Sequence, residues 1–190
     1  MLLLVGLGNP GSDYTNTRHN IGFRIIDAIN AHFKLSKQKP KFKGLLTTGN
    51  IDEKKIYAIK PLTFMNNSGT AIKELIDYFK IEAKDVIVFH DDMDIDFGKI
   101  KTKFGGGSAG HNGIESIDKF IGKDYSRVRI GIGHPKQKKK VNNHVLDDFK
   151  DDEEEKIKEI TENIVKQIPT LIDKKIDLFS SKVNQNLDGI

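Results

Sequence analysis

The segment Leu2-Leu3-Leu4-Val5-Gly6-Leu7-Gly8-Asn9-Pro10-Gly11 decides the fold of this chain of 190 residues. Its continuous apolar run predicts a strand over residues 2–7 that is buried on both faces, as in a parallel sheet. The glycines that follow have the G-x-G-x-x-G spacing of a dinucleotide-binding turn. Such a turn also requires a helix that opens within the glycine run and an acid about 20 residues on, at the end of the next strand.

The residues after the glycines do not meet these requirements. Residues 12–16 continue as a loop, and helical periodicity begins only near Asn20. Asp27, the nearest candidate for the acid, falls inside that helix. Polar side chains stand at the helix start instead, in Arg18-His19-Asn20. We therefore interpret the loop as the wall of an active site, with a nucleotide cradle as the alternative.

Composition places the chain among cytoplasmic proteins. It has no cysteine, which excludes disulfides, thiolate nucleophiles and cysteine-ligated metals. No apolar run approaches the roughly 20 residues that span a bilayer, and no signal peptide is recognisable at the N-terminus. We expect a cytoplasmic protein with no membrane contact.

Charge is unevenly distributed along the chain. Residues 1–146 contain 24 basic and 15 acidic side chains, a net charge of +9, whereas residues 147–190 contain 7 and 12, a net charge of −5. A basic body suits a polyanionic partner such as nucleic acid. A lysine-rich solubilising surface explains the same charge equally well.

Helical and strand patterns alternate along the chain. The predicted strands are 2–7, 44–50, 55–60, 86–89, 99–104 and 128–132. The predicted helices are 20–34, 72–79, 114–121 and 151–176, the last disturbed at Pro169, and residues 37–41 are a proline-broken linker. This order predicts an α/β fold: a single domain over 1–190 with a mixed, mostly parallel twisted sheet and helices on both faces.

Ligands of such sheets bind at the carboxyl ends of the strands. Three polar segments are expected there: Asn9 after the first strand, Asp91 after residues 86–89, and the glycine-rich residues 105–112 after residues 99–104. We expect the loop over 105–113 to be mobile, because glycine permits backbone movement and close approach to a substrate.

His19 and Asp91 are the first candidates for chemistry. A neutral imidazole can take a proton from water near neutral pH, and a carboxylate can orient the ring and stabilise its cation. Asp91, Asp92 and Asp94 could instead bind Mg²⁺. His111 has no evident carboxylate partner in the sequence, and we interpret it as a loop residue.

Further polar residues could contact a substrate. Asn66, in the segment before the helix at 72–79, is free to donate to a carbonyl oxygen, the role that amides have in oxyanion sites. Lys103 and Arg129 lie at strand ends and could bind a phosphate, although solvated strand faces explain them nearly as well.

Taken together, five segments resemble the bacterial peptidyl-tRNA hydrolase family over nearly the whole chain. They are Gly6–Gly11 with Tyr14 and Arg18-His19-Asn20, Thr63–Gly69, His90–Asp94, Gly105–Gly113, and Arg129–Pro135. Each motif is weak alone, but five in order at the expected separations are specific. The resemblance implies hydrolysis of the ester that joins a peptide to the 3′ end of tRNA.

The resemblance also implies roles for individual residues. His19 would activate water, Asp91 would keep His19 in its proton-accepting state, and Asn9 would distinguish a blocked from a free α-amino group. The residues implied to bind the 3′ end and the peptide are Tyr14, Phe64, Met65, Asn66 and Asn112, and those implied to hold a tRNA phosphate are Lys103 and Arg129. No metal or cofactor is implied, and tRNA is the expected partner of a monomeric enzyme with no obligate protein partner. The acidic residues 151–155 depart from the family pattern.

Two alternatives remain at this stage. The glycine spacing alone favours an NAD(P)-dependent oxidoreductase, and the basic body alone favours a non-catalytic RNA-binding protein.

Overall fold

A computed structural model describes residues 1–135 and 141–187 of the chain. Within these residues, seven strands form one sheet. The strands are β1 (Leu2–Gly6), β2 (Lys39–Lys41), β3 (Gly44–Ile51), β4 (Lys54–Pro61), β5 (Val86–Asp92), β6 (Ile100–Phe104) and β7 (Ser126–Gly131). Their spatial order is β2-β3-β4-β1-β5-β7-β6.

The centre of the sheet is parallel and its edges are antiparallel. β1 pairs in parallel with both β4 and β5, and β5 pairs in parallel with β7. β3 runs antiparallel to β4, β2 to β3, and β6 to β7. The predicted mixed, mostly parallel sheet is therefore confirmed.

Helices cover both faces of the sheet. They are α1 (Ile21–His32), α2 (Ser68–Phe79), α3 (Asn112–Ile121), α4 (Val141–Leu146), α5 (Asp151–Ile172) and α6 (Ile176–Leu187). Buried side chains of α1, α5 and α6 pack on one face, and those of α2 and α3 pack on the other. The two cores share one sheet, which makes a single α/β domain. None of the helices in the described ranges has the length and apolar character required to cross a bilayer.

The first glycines serve helix packing. A Cβ on Gly6 would lie 2.2 Å from the carbonyl oxygen of Gly22 in α1, and a Cβ on Gly8 would lie 2.7 Å from the ring of Phe23. Helix α1 therefore presses directly on the turn after β1. Close packing against this helix therefore explains the glycines at 6 and 8 without a bound dinucleotide.

Four details of the prediction were wrong. The predicted linker 37–41 contains the edge strand β2, whose Pro40 is tolerated because an edge strand need not donate on both sides. The predicted helix 151–176 is two helices: α5 continues past Pro169 to Ile172, and Lys174 then takes a left-handed backbone (φ 62°) before α6 begins. Strand β5 extends beyond Phe89, so Asp91 lies within it rather than after it.

The fourth error concerns the direction of β6. Because β6 is antiparallel to β7, Phe104 pairs with Ser126, the first residue of β7, at the end of the sheet where the parallel strands begin. The chain that follows β6 therefore starts at the amino ends of the parallel strands, whereas Asn9 and Asp91 lie at their carboxyl ends. Residues 105–111 must run back along the sheet before α3 begins at Asn112.

Candidate active site

The carboxyl ends of two neighbouring parallel strands bring His19 to Asp91. β1 and β5 are paired, and His19 lies in the short 3-10 turn between β1 and α1. The Nδ1 atom of His19 is 2.8 Å from Oδ1 and 3.0 Å from Oδ2 of Asp91. A carboxylate can only accept, so Nδ1 is the donor, and Nε2 of neutral His19 carries the lone pair.

Burial and charge act in opposite directions on this pair. His19 is 7% and Asp91 2% exposed. Burial lowers the pKa of His19, but the charge of Asp91 and its hydrogen bond outweigh this, so that the pKa lies above its ordinary value. For Asp91, burial raises the pKa. The charges and hydrogen bonds of His19 and His111 lower it by more than this, so the pKa of Asp91 lies far below its ordinary value. Asp91 is therefore a permanent carboxylate.

His111 shares the same carboxylate, and the interpretation of His111 as a loop residue without a partner was wrong. Its Nε2 is 3.0 Å from Oδ1 of Asp91. Its Nδ1 accepts hydrogen bonds from the backbone N–H groups of Gly113 and Ile114, which caps α3. Nδ1 is then unprotonated, so Nε2 carries the proton and donates it to Asp91. Sequence distance concealed this contact, because the two residues are 20 apart.

His90 completes a group of three histidines around Asp91. The Nδ1 of His90 donates to the backbone oxygen of Asp91 at 2.8 Å, and its ring meets that of His111 edge-on at 4.9 Å. Burial, aided by the neighbouring His111, lowers the pKa of His90 well below its ordinary value. His90 is therefore a neutral neighbour that adds no charge to the site.

Asn9 is held with its amide in one orientation. Its backbone N–H donates to Oδ1 of Asn20, and Nδ2 of Asn20 donates to the backbone oxygen of Asn9, both at 2.9 Å. The side-chain Oδ1 of Asn9 accepts from the backbone N–H of Met65 at 2.8 Å. This leaves the NH₂ group of Asn9 available as a donor. Asn20 was not predicted as a site residue, although its place directly after His19 was a usable signal.

A pocket opens beside this group. His19, Asp91 and His111 line it together with Met93, Asp94, Val145 and residues 108–110 and 112. Asn112 is exposed at the first turn of α3. The structure thus brings together the candidates His19, Asp91 and Asn112, with Asn9 held just after β1.

The remaining candidates in the segment after β4 differ in exposure. Phe64 is 58% exposed, whereas Met65 is buried and packs in the core of the α2–α3 face. The Asn66 side chain is exposed and makes no hydrogen bond to the described part of the chain. Tyr14 lies half-buried in the turn after Gly11, away from the pocket lining. Asn66 therefore has its donors free, and Met65 has a structural contact with Asn9.

Lys103 and Arg129 lie on the same face of the β6–β7 edge. The register pairs Lys101 with Arg129 and Lys103 with Arg127, so these side chains project together. Lys103 is exposed, and Nε of Arg129 donates to Oδ2 of Asp92 at 2.8 Å. We call these residues (101, 103 and 129) the basic edge.

The three aspartates considered for Mg²⁺ have separate partners. Asp91 faces His19 and His111, Asp92 faces Arg129, and Asp94 pairs with His134 at 3.0 Å. Within residues 1–135 and 141–187, the group whose donor atoms could hold a metal is His19, Asp91 and His111, with ligand atoms within 4.8 Å of one another. The protons on Nδ1 of His19 and Nε2 of His111 already satisfy Asp91. These three side chains thus form a hydrogen-bonded group in which the carboxylate of Asp91 already has its partners.

Two acidic side chains at the start of α5 form ion pairs with arginines. Arg18 donates to Oε2 of Glu153 at 2.7 Å, and Arg24 forms two hydrogen bonds with Glu154, at 2.9 and 2.7 Å. The departure of residues 151–155 from the expected family pattern therefore has a structural role in tying α5 to α1.

Comparisons with known proteins place this fold and site in context. The sequence pattern of the family described as "Peptidyl-tRNA hydrolase" matches residues 3–188. A peptidyl-tRNA hydrolase of Pelagibacter ubique is 71% identical over 184 residues, covering 97% of this chain and 99% of the relative. One of Ehrlichia ruminantium is 47% identical, covering 95% and 93%. A crystal structure of peptidyl-tRNA hydrolase from Acinetobacter baumannii superposes with a TM-score of 0.91 at 34% identity, covering 97% and 94%.

Proposed function

Because this chain belongs to the peptidyl-tRNA hydrolase family, it is an enzyme that hydrolyses peptidyl-tRNA, and we propose that His19 is the general base of that reaction. The observation that carries the proposal is the hydrogen bond from Nδ1 of His19 to Asp91, which leaves Nε2 as the acceptor for a proton. The base is thus fixed in one tautomer by a carboxylate that remains ionised.

The proposed reaction is direct attack by water on the ester. His19 takes a proton from water at Nε2, and the resulting hydroxide adds to the ester carbonyl carbon. The C–O bond to the ribose then breaks, and the ribose oxygen receives the proton from the imidazolium. Asp91 stabilises that imidazolium. General-base assistance of this kind contributes about 10²–10⁴-fold to the rate.

Amide N–H groups would stabilise, by hydrogen bonding, the negative charge that develops on the carbonyl oxygen. The free NH₂ groups of Asn9, Asn66 and Asn112 are the candidates, and one such donor is worth about 10²–10³-fold. Asn9 is the best fixed of the three, because Asn20 holds its backbone and Met65 its side-chain oxygen. We assign Asn9 the further role of distinguishing a blocked from a free α-amino group. Tyr14 and Phe64 would contact the 3′ end and the peptide outside the pocket lining, and buried Met65 would act through its hydrogen bond to Asn9.

The basic edge would hold the tRNA part of the substrate. Lys103 and Arg129 offer cationic groups on one face, and contacts to phosphate and peptide backbone do not read bases or side chains. Broad specificity among tRNAs follows. We further propose that residues 1–190 act as one monomeric cytoplasmic domain, with a mobile loop at 105–113 and without a metal, cofactor, membrane contact or obligate protein partner.

Two substrates test this function together. A gel assay would follow release of tRNA from peptidyl-tRNA and from unblocked aminoacyl-tRNA, with wild-type protein and Asn9→Ala. We expect the wild type to cleave the first substrate and spare the second, and Asn9→Ala to lose most of this discrimination. Equal cleavage of both substrates by the wild type would contradict the proposed substrate class.

A further inference from the structure

The return path of the chain after β6 poses a structural problem. Phe104 pairs with Ser126, whereas Asp91 pairs with Ile130, four residues further along β7. Four residues of strand correspond to about 13 Å. The glycine loop, residues 105–110, must cover this distance and deliver His111 to Asp91.

The glycine loop has little internal structure to guide it. It contains no strand or helix, and Gly105, Gly106 and Gly110 have positive φ angles of 66°, 88° and 79°. Glycine loses more conformational freedom on ordering than any other residue. A Cβ on Gly106 would lie 2.5 Å from Cε of Lys103, so the loop passes tightly over β6. Something outside the loop has to hold it there.

Arg127 supplies that support from the sheet beneath. Its Nη1 donates to the backbone oxygen of Gly107 at 3.0 Å, and its Nη2 donates to the backbone oxygen of Gly105 at 2.5 Å. The backbone N–H of Gly105 also donates to Tyr125 at 3.0 Å. Among the described residues, Arg127 contributes the side-chain hydrogen bonds that join the glycine loop to the sheet.

The burial of Arg127 is notable for a guanidinium. It is 3% exposed, and no carboxylate pairs with it in the described ranges 1–135 and 141–187. Its neighbour Arg129, two residues along the same strand, does have a carboxylate partner in Asp92. Burying a charge costs free energy unless it is paired or hydrogen-bonded. Arg127 thus depends for its compensation on the loop carbonyls, and the loop depends on Arg127.

We propose that Arg127 is a positioning residue of the hydrolase: among the conformations open to the mobile loop, it stabilises the one in which His111 donates to Asp91 and Asn112 stands at the pocket. The inference rests on the proposed function of His19 and Asp91. The His90 ring packs edge-on against that of His111, so the position of His111 also depends on this neighbour. Arg127 itself does not line the pocket beside His19.

Loss of this support has a distinctive consequence. When His111 leaves Asp91, the carboxylate is shared less and binds the proton of His19 more tightly. The pKa of His19 then rises, and the acid limb of the pH profile of kcat/KM moves to higher pH. The activity also falls, because only the fraction of molecules with an ordered loop is competent. A purely structural role would reduce activity without moving the limb.

The test compares Arg127→Met and Arg127→Lys by kcat/KM on peptidyl-tRNA between pH 5 and 9. Arg127→Met should lose about tenfold or more, since hydrogen bonds from a charged group contribute roughly 1.5–3 kcal/mol, and its acid limb should move to higher pH. Arg127→Lys keeps one charged donor and should recover part of both effects. In the double variant with His111→Phe, the shift of the limb should not exceed that of His111→Phe alone.

Arg24→Met is the matched control. Arg24 in α1 also donates two hydrogen bonds, but its acceptor is Glu154 at the start of α5. Helices α1 and α5 pack on the face of the sheet opposite to α3. Arg24→Met should leave the acid limb in place. Wild-type activity in Arg127→Met, or lost activity with an unmoved limb, would overturn the inference. If Arg127→Met does not fold, Arg127→Lys decides by the same criteria, and an inactive His19→Ala protein shows that the proposed function stands regardless.

Discussion

The group around Asp91 and the basic edge differ in burial and in how their charges are paired. At Asp91, the carboxylate, His19 and His90 are buried and His111 is half-buried, and each proton has an assigned acceptor. At the basic edge, Lys103 is exposed and unpaired among the described residues, and Arg129 is half-buried beside Asp92. Low dielectric strengthens the first group, whereas solvent and salt screen the second. Substitutions in the first should therefore lower kcat, and substitutions in the second should raise KM.

The largest expected effect is at His19. In His19→Ala, kcat should fall by about 10²–10⁴-fold, because the general base is removed. The Kd for intact tRNA should change less than threefold, since His19 is 7% exposed and is not one of the cations of the basic edge. Rapid-quench kinetics and a filter-binding assay measure the two quantities. Near-full turnover would erase the distinction between the two regions.

His111→Phe should have an intermediate effect with a defined sign. His111 donates to Asp91 and so lowers the basicity of the carboxylate. Without that donor, the raised pKa of His19 rises further, and less neutral base is present at low pH. The acid limb of kcat/KM should move to higher pH, with kcat/KM approaching its plateau above the limb. The control His32→Phe, an exposed histidine at the end of α1, should leave the limb unmoved.

Lys103→Gln should have a smaller effect, confined to binding. We expect KM for peptidyl-tRNA to rise several-fold with kcat unchanged. The slope of log Kd against log salt should decrease by about 1, as expected for one lost phosphate contact. Lys158→Gln removes the same charge from an exposed position on α5, which packs on the other face of the sheet. It should change neither KM nor the salt dependence of Kd. A reduced kcat in Lys103→Gln would move this residue into the chemical group.

The smallest expected effect is that of a chelator. Because Asp91, Asp92 and Asp94 each have a different partner, they do not form a joint cation site. Incubation with EDTA and assay in buffer free of divalent ions should leave kcat within twofold of its starting value. A large loss, restored by one added metal, would show that His19, Asp91 and His111 bind that metal.

Much of the candidate site was predictable because Asn9 and Asp91 come just after the apolar runs of two parallel strands, although Asp91 still belongs to β5. The apolar runs at 2–7 and 86–89 indicate central strands, and ligand sites form at the carboxyl ends of such strands. Placing His19 near Asp91 needed only that rule. Asn9 was predictable for the same reason, since it directly follows the first run.

The contact between His111 and Asp91 was not predictable in this way. The alternating pattern of residues 99–104 indicates a strand but contains no information on its direction, and the antiparallel pairing of β6 reverses where the next loop starts. Helix α6 was missed although Phe179, Val183 and Leu187 recur at helical spacing and are buried. The glycines at 6 and 8 showed the opposite weakness. Their spacing is that of a nucleotide turn, whereas their contacts are with α1.

The most direct test of the account is the ¹⁵N NMR spectrum of His19 during a pH titration. We predict that neutral His19 carries its proton on Nδ1, that its pKa is raised above the ordinary value of a histidine, and that Asp91→Asn lowers this pKa. A neutral tautomer protonated at Nε2, or a pKa that Asp91→Asn does not change, would contradict the assignment of His19 as a base held by Asp91.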